Sequence, residues 1–351
     1  MGVINVESLL KPVSADVPCG EDLKWDRRFL ELERLAEGKE ETQFSPAEEP
    51  NWREVRDVAV EVFSRGKHLR TAVLLTLAAA RLEGMTGVRD GLVLIRGLLE
   101  QYWDQVFPLL DAEDNNDPTE RFNSLAPLAT PLATYGDKLK LLDRVYECPL
   151  CDSRQMGKFS LRDIAIAAGT LAVGEEASDK PKPTIAIIDL AFGESDKEFL
   201  ESTAAAAEEG TEALKAIEDL ITAKCGSGVG PDLNPFKSVL KDAALQVRRR
   251  LNAGEAAGAS ESAQSEGGAP GEGGGRLSGG VSSSADVEMA LDKVIRYYEQ
   301  WEPSSPVPLI VLCAKQMVRK KFLDITKVLT PDAISVLERI STPTSDSSSA
   351  G

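Results

Sequence analysis

Between residues 69 and 83 the chain reads LRTAVLLTLAAARLE. At helical spacing, Val73, Leu74, Leu75, Leu77, Ala78, Ala79, Ala80 and Leu82 leave almost no polar face. A helix that is apolar nearly all round has to sit at the centre of its fold. Its apolar run, residues 71–80, is too short to cross a bilayer, so the centre in question is a protein core. The flanking segments have the one-sided pattern that wrapping helices need. Residues 25–37 carry Phe29, Leu30, Leu32, Leu35 and Ala36 mainly on one face and stop at Gly38. Asn51 is placed to cap the next helix, with Glu54 at the capping-box position and Trp52, Val55, Val58, Ala59, Val62 and Phe63 inward. A fourth helix covers 88–107. The spacing predicts one helical domain over residues 1–135.

That fourth helix runs into QYWDQVFPLLDAEDNNDPTERFNSLAP, residues 101–127. Tyr102, Trp103, Val106 and Phe107 form its apolar end. Residues 111–116 are a polar, acidic loop. Asp117 can cap a restarting helix, with Pro118 at its first position and Glu120 completing a capping box. Two helices therefore meet at a corner. The spacing of Trp103 favours a place in the core. The aromatic and acidic corner built from Tyr102, Trp103, Asp104 and Asp114 is the candidate docking surface for a partner, since Trp and Tyr anchors enrich at interfaces.

Residues 136–252 read as a helical middle domain. A helix is expected over 137–146, with Leu139, Leu141, Leu142 and Val145 inward, and a short one follows from Ser160, capped with Asp163, to Ala168. Residues 185–192 are β-branched but lack pairing partners, so helix is expected there too. Residues 196–223 read as a helical pair. Asn234 and Pro235 start a helix whose last turn, Arg248, Arg249 and Arg250, complements the macrodipole.

Residues 253–284, AGEAAGASESAQSEGGAPGEGGGRLSGGVSSS, hold no aromatic residue and cannot bury enough to offset their ordering entropy. They are expected to be a flexible linker. Residues 285–341 then form a small helical module. Val287, Ala290, Leu291, Val294, Ile295, Tyr298 and Trp301 make an unbroken stripe, prolines at 303, 306 and 308 make a stiff corner, and helix resumes over 309–318. Further helical stretches are expected at 322–329 and after Thr330-Pro331, with a disordered tail at 342–351. So small a module buries too little of its own surface, which points to self-association. Val294, Tyr298, Trp301, Pro303, Pro306, Ile310 and Val311 are its candidate oligomerisation residues. The fold class is all-α throughout.

Chemistry is hard to place on this chain. Its one histidine, His68, has no Cys, Asp or Ser partner at motif spacing. Phosphate-loop, nucleophile-elbow and zincin motifs are missing from its sequence. Cys148 and Cys151 form a C-x-x-C pair without a second pair, a nearby histidine or a βαβ context. They read as two small semi-buried thiols at a helix end. The acidic residues 113–117 lack the spacing, glycine and terminal glutamate of a calcium loop. No catalytic residue, metal or cofactor is expected. A net charge of −17 over 351 residues argues against nucleic acid, and Arg248 to Arg250 do not outweigh it. The first sixteen residues lack a basic n-region and an apolar h-region, so a cytoplasmic protein with reduced thiols and no membrane insertion is expected.

Three motifs carry a resemblance. Pro18-Cys19-Gly20-Glu21-Asp22 is similar to the opening P-C-G-E-D of the TssA family, whose N-terminal domain is of ImpA type. Residues 91–104 resemble its G-L-x-L-x-x-G-L-L-E-x-Y-W-D, and Glu302 to Pro308 resemble its C-terminal signature. The resemblance implies a cytoplasmic, non-catalytic component of the bacterial type VI secretion system. Such a protein would form a ring-like homo-oligomer, sit at the inner-face baseplate and organise assembly of tail tube and sheath. Its partners would be itself, baseplate proteins, and tube and sheath subunits. The short C-terminal module looks more like the baseplate-associated branch of the family than the sheath-capping one. Without the resemblance, the residues alone indicate only a soluble helical protein, an assembly component; the competing reading is a generic cytoplasmic helical adaptor or scaffold outside secretion.

Overall fold

The helices follow the apolar periodicity closely. A computed structural model describes residues 2–39, 43, 46–171, 183–262, 287–288, 291–292, 294–296 and 307–317. In chain order the elements are α1 (Val6–Leu10), α2 (Arg27–Glu37), α3 (Trp52–Arg65), α4 (Leu69–Glu83), α5 (Met85–Tyr102), α6 (Thr119–Leu125) and α7 (Leu141–Tyr146). They continue with β1 (Pro149–Ser153), β2 (Gly157–Ser160), α8 (Leu161–Ala167), α9 (Ile185–Glu194), α10 (Lys197–Cys225), α11 (Asn234–Ser262) and α12 (Val307–Met317). The chain divides into two units, Met1–Ala263 and Gln264–Gly351.

In the first unit α4 is the buried axis, with Leu69 and residues 71–80 all inside. It packs against α3 and α5, and α5 packs in turn against α10. The closeness of α4 and α5 depends on glycine. A Cβ on Gly91 would stand 2.2 Å from the Oγ1 of Thr76. Burial of aliphatic surface at about 25 cal/mol per Å² is the main stabilising term here. One hydrophobic core runs from Ile4 to Val247. Regions 1–135 and 136–252, expected as separate domains, therefore share a single unit. The reason is α10, whose small face of Thr203, Ala204, Ala206, Ala207 and Gly210 is buried. Gly210 faces Leu92 of α5 and Leu240 of α11.

Several local expectations are corrected. The fold is mostly helical, but residues 149–160 form an antiparallel hairpin, β1 with β2. Gly157, at φ 90°, ends its turn. The Oγ of Ser153 closes that turn by accepting from the N–H groups of Gln155 (3.2 Å) and Met156 (2.8 Å). Cys148 and Cys151 are fully buried rather than semi-buried, and Cys151 sits on β1. Asn51 makes no side-chain cap bond, so the box with Glu54 is not formed. The expected helix over 137–146 is shortened to α7, and residues 196–223 belong to one helix, α10, rather than a pair. The β-branched stretch at 185–192 is helical as expected, started by the Thr184 hydroxyl, which accepts from the N–H of Ile187. Ser160 and Asp163 form their capping box on α8.

Helix α11 continues to Ser262, ten residues into the stretch read as linker. Extending an established helix through Ala- and Glu-containing sequence costs little. Arg248 and Arg250 are therefore mid-helix. Arg248 pairs with Glu208 of α10 (2.8 Å), and Arg250 pairs with Asp189 of α9 (2.8 Å) while its guanidinium lies over the Phe192 ring.

In the second unit, residues 287–288, 291–292 and 294–296 are helical and the Lys315 ammonium of α12 pairs with Asp292. Val294 is exposed, Ile295 buried and Val311 half-buried. Ile310 lies on α12. Tyr298, Trp301, Pro303 and Pro306 lie outside the described residues, as do residues 263–284 of the linker, the helices expected after residue 318 and the tail.

Candidate functional site

The corner after α5 is built by the backbone of residues 103–108 and one side chain. The chain leaves α5 by a turn in which the N–H of Val106 donates to the carbonyl of Tyr102 (2.8 Å). It then runs alongside the start of α4: Phe107 N–H donates to Lys67 O (3.0 Å), and Leu69 N–H donates to Phe107 O (2.8 Å). The peptide between Phe107 and Pro108 is cis. This path leaves carbonyls pointing inward with no helical partner, and buried carbonyls need donors.

Arg121 of α6 supplies them. It is only 1% exposed. Its Nη1 donates to Trp103 O (2.9 Å), its Nη2 to Val106 O (3.0 Å) and Pro108 O (2.9 Å), and its Nε to Pro108 O (3.2 Å). The guanidinium also lies 4.9 Å from the centre of the Trp103 ring, and the Lys224 ammonium is 5.8 Å from that ring. Burial pulls the Arg121 pKa down to about 10, so the group stays charged at neutral pH. Nothing in the sequence marked Arg121, because a polar residue in the first turn of an acidic-capped helix reads as solvent-facing.

The acidic loop closes on itself. Asp111 and Asp117 exchange backbone hydrogen bonds (3.0 and 3.2 Å), and the Asp111 carboxylate accepts from the N–H groups of Glu113 and Asp114 (3.0 and 3.3 Å). Asn115 and Asn116 take the left-handed conformation, which Asn tolerates. The Asp117 carboxylate accepts from the N–H of Thr119 (3.0 Å), but Pro118 rather than Asp117 is the N-cap of α6. The helix thus begins one residue later than read. Glu120 closes no capping box and instead pairs with Lys24 (2.8 Å).

An N-terminal strap crosses the same corner. Gly20, at φ 72°, approaches so closely that a Cβ would stand 2.0 Å from the carbonyl of Arg65. Lys67 N–H donates to Cys19 O (2.8 Å) and Glu21 N–H to Arg65 O (3.1 Å). The buried Lys67 ammonium donates to Leu9 O (2.6 Å) and lies near the rings of Phe63 and Tyr102. Burial lowers its pKa. The Tyr102 hydroxyl donates to Leu10 O (2.7 Å). His68 caps α4 by accepting from Arg70 N–H (3.0 Å), and burial pulls its pKa down to about 4.

The four residues read as a docking surface thus divide. Trp103 is 7% exposed and Tyr102 half-buried, while Asp104 and Asp114 face solvent. The aromatic pair braces the corner and the carboxylates decorate it. The exposed tryptophan at this corner is Trp25, which the pattern had assigned to the start of α2; α2 begins two residues later, capped by Asp26. Burial pushes the thiols of Cys148 and Cys151 up to about 12 and 11, and Cys148 donates to Ala80 O. Among the described residues no three His, Cys, Asp or Glu side chains converge to hold a metal ion, and no helix is long and apolar enough to cross a membrane.

Residues 10–130, which contain the strap and the corner, match the family described as ImpA, N-terminal, type VI secretion system. The type VI secretion system component TssA1 of Pseudomonas aeruginosa is 39% identical over 359 residues, an alignment that covers 98% of this chain and 100% of that relative. Among solved structures, the N-terminal domain that includes the conserved ImpA_N region of the TssA component from Burkholderia cenocepacia superimposes with a TM-score of 0.56. It is 25% identical and covers 72% of this chain and 95% of its own. An N-terminal match to the ImpA family and an end-to-end relative meet on one architecture: the chain belongs to the TssA family of type VI secretion system components.

Proposed function

We propose that this chain, a structural component of the type VI secretion system, acts at the cytoplasmic baseplate as a non-catalytic organiser of tail tube and sheath assembly. Residues 285–341 gather copies into a ring, and each copy offers its first unit to baseplate, tube or sheath subunits. A ring multiplies weak docking contacts into a strong one, provided the linker lets several engage together. Within the second unit, Val294, Ile310 and Val311 are the assembly residues to test first, together with Tyr298, Trp301, Pro303 and Pro306. On the first unit, Asp104 and Asp114 are solvent-facing candidates for partner contact, with Tyr102 and Trp103 as the aromatic candidates beside them in sequence.

The observation that carries this reading is the relation to TssA1, 39% identical across 98% of the chain. The acidic balance of −17 and the fully used buried polar groups of the corner agree with a binding role rather than turnover. The test has two parts. Light scattering compares the full chain with one lacking 285–351. The expected result is a large particle that falls to monomer mass on truncation. Purified sheath, tube and baseplate subunits are then offered to the immobilised full chain. If the truncated chain keeps the full mass, the assembly determinant lies upstream; if none of the subunits binds, the organising role fails.

A further inference from the structure

We infer that the exposed Trp25, beside the acidic corner, is a docking anchor for a basic segment of a partner protein. The inference rests on the proposed organising role and names the chemistry of one of its contacts.

Trp25 is 81% exposed. It is nonetheless held in place. Leu23 is buried on one side, and the Asp26 N–H donates to Leu23 O (2.8 Å) while the Asp26 carboxylate caps α2 (2.8 Å). The Asp22 carboxylate accepts from the N–H of Lys24 (3.0 Å). The indole is thus displayed by a braced turn, and the fold gains little from it: its recorded contact is the Lys24 ammonium, 5.7 Å from the ring. A large aromatic exposed on a pre-ordered backbone is the composition of a binding hot spot, because little ordering entropy remains to be lost on binding.

The surroundings choose the partner. Lys24 ties Trp25 to the first turn of α6 through Glu120. The chain from 104 to 120 that leads into this turn carries six carboxylates and no Lys or Arg, and in its middle Leu109 is half exposed. The next cation, Arg121, is buried and committed to backbone carbonyls. On the near side of Trp25, Asp22 adds a carboxylate, while Glu21 and Asp26 are paired with Arg65 (3.7 and 2.9 Å) and Arg27 is exposed. An exposed aromatic tied through Lys24 and Glu120 to that acidic stretch suits a segment that brings Lys or Arg together with an apolar residue. An incoming cation can take the face of the indole, where Lys24 now lies, since Trp is the best aromatic partner for a cation. Nucleic acid and anionic lipid are repelled by the same acidic stretch.

The test uses the full chain and, as probe, an array of peptides about 15 residues long that tile the sheath, tube and baseplate subunits, each with a copy in which Lys and Arg become Glu. The variants are Trp25→Ala, Glu113→Lys with Asp114→Lys, and Tyr135→Ala as the control. Tyr135 is a fully exposed aromatic whose loop is tied by Lys138 to Glu37, at the opposite end of α2 from Trp25. The expected result is binding to basic peptides with an apolar residue, lost in their Glu copies and weakened at ~0.5 M salt. Trp25→Ala and the charge reversal each weaken it by about tenfold or more, and Tyr135→Ala leaves it unchanged. The inference is overturned if no peptide binds, or if bound peptides hold equally to Trp25→Ala. Folded subunits that bind wild type and Trp25→Ala alike would overturn it while leaving the organising role intact. Failure of peptides and folded subunits together would remove both.

Discussion

Replacing Arg121 with methionine keeps much of the side-chain volume and removes every donor from the corner. Three carbonyls, Trp103 O, Val106 O and Pro108 O, then lose the side-chain donor they share. Each orphaned carbonyl costs about 1 kcal/mol or more, and the lost stacking on Trp103 adds about 1–2 kcal/mol. Against this, methionine avoids the desolvation of a buried guanidinium, which is several kcal/mol. Small adjustments of the loop also admit water to some of the carbonyls. With each carbonyl taken at about 2 kcal/mol, the losses come to about 7–8 kcal/mol, and relieved desolvation with admitted water offsets about 4–5 kcal/mol of that, which leaves a net loss of about 3 kcal/mol. In a unit of this size that lowers the melting midpoint by about 6–12 °C. Arg121→Lys should fall between the two, because one ammonium cannot span carbonyls from residue 103 to residue 108. The assay is far-ultraviolet circular dichroism during thermal and guanidinium unfolding of all three chains. A methionine variant within about 1 kcal/mol of wild type would refute the claim that this guanidinium holds the corner.

Protonation of His68 gives a second prediction. With a folded pKa of about 4 against 6.5 unfolded, the unfolded chain binds a proton that the fold refuses, so stability is full above pH 6.5 and falls as pH drops toward 4. His68→Asn keeps an acceptor for Arg70 N–H and should flatten that fall by about 3 kcal/mol; parallel pH profiles of denaturant midpoints would show it. Cys148 and Cys151 should resist iodoacetamide in the folded chain while Cys225, which is only partly buried, reacts first; mass spectrometry of the timed reaction decides. Gly91→Ala should destabilise by about 1–3 kcal/mol despite the higher helix propensity of alanine, because its Cβ meets Thr76, and a neutral or stabilising result would mean that α4 and α5 can separate freely.

The helical class, the central place of α4 and the capping box of Ser160 with Asp163 were legible from the residues, because periodicity and capping act within a few positions of the chain. The same is true of the family motifs, whose residues turn out to be packing devices: Gly20 against Arg65, and Gly91 against Thr76. What only the tertiary structure decided depends on groups far apart in sequence. Arg121 is buried because carbonyls 13 to 18 residues earlier need donors, and no local pattern encodes that need. Trp103 is in the core as its spacing suggests, covered by Arg121 and Lys224, whereas Trp25, read as the start of α2, is held outward by Leu23 and Asp26. The hairpin at 149–160 lies where a helix-rich context concealed it; its turn is stabilised by Ser153, which also bonds Glu194, 41 residues away. Regions 1–135 and 136–252 became one unit because the small face of α10 finds α5, a pairing that sequence periodicity permits and only packing selects.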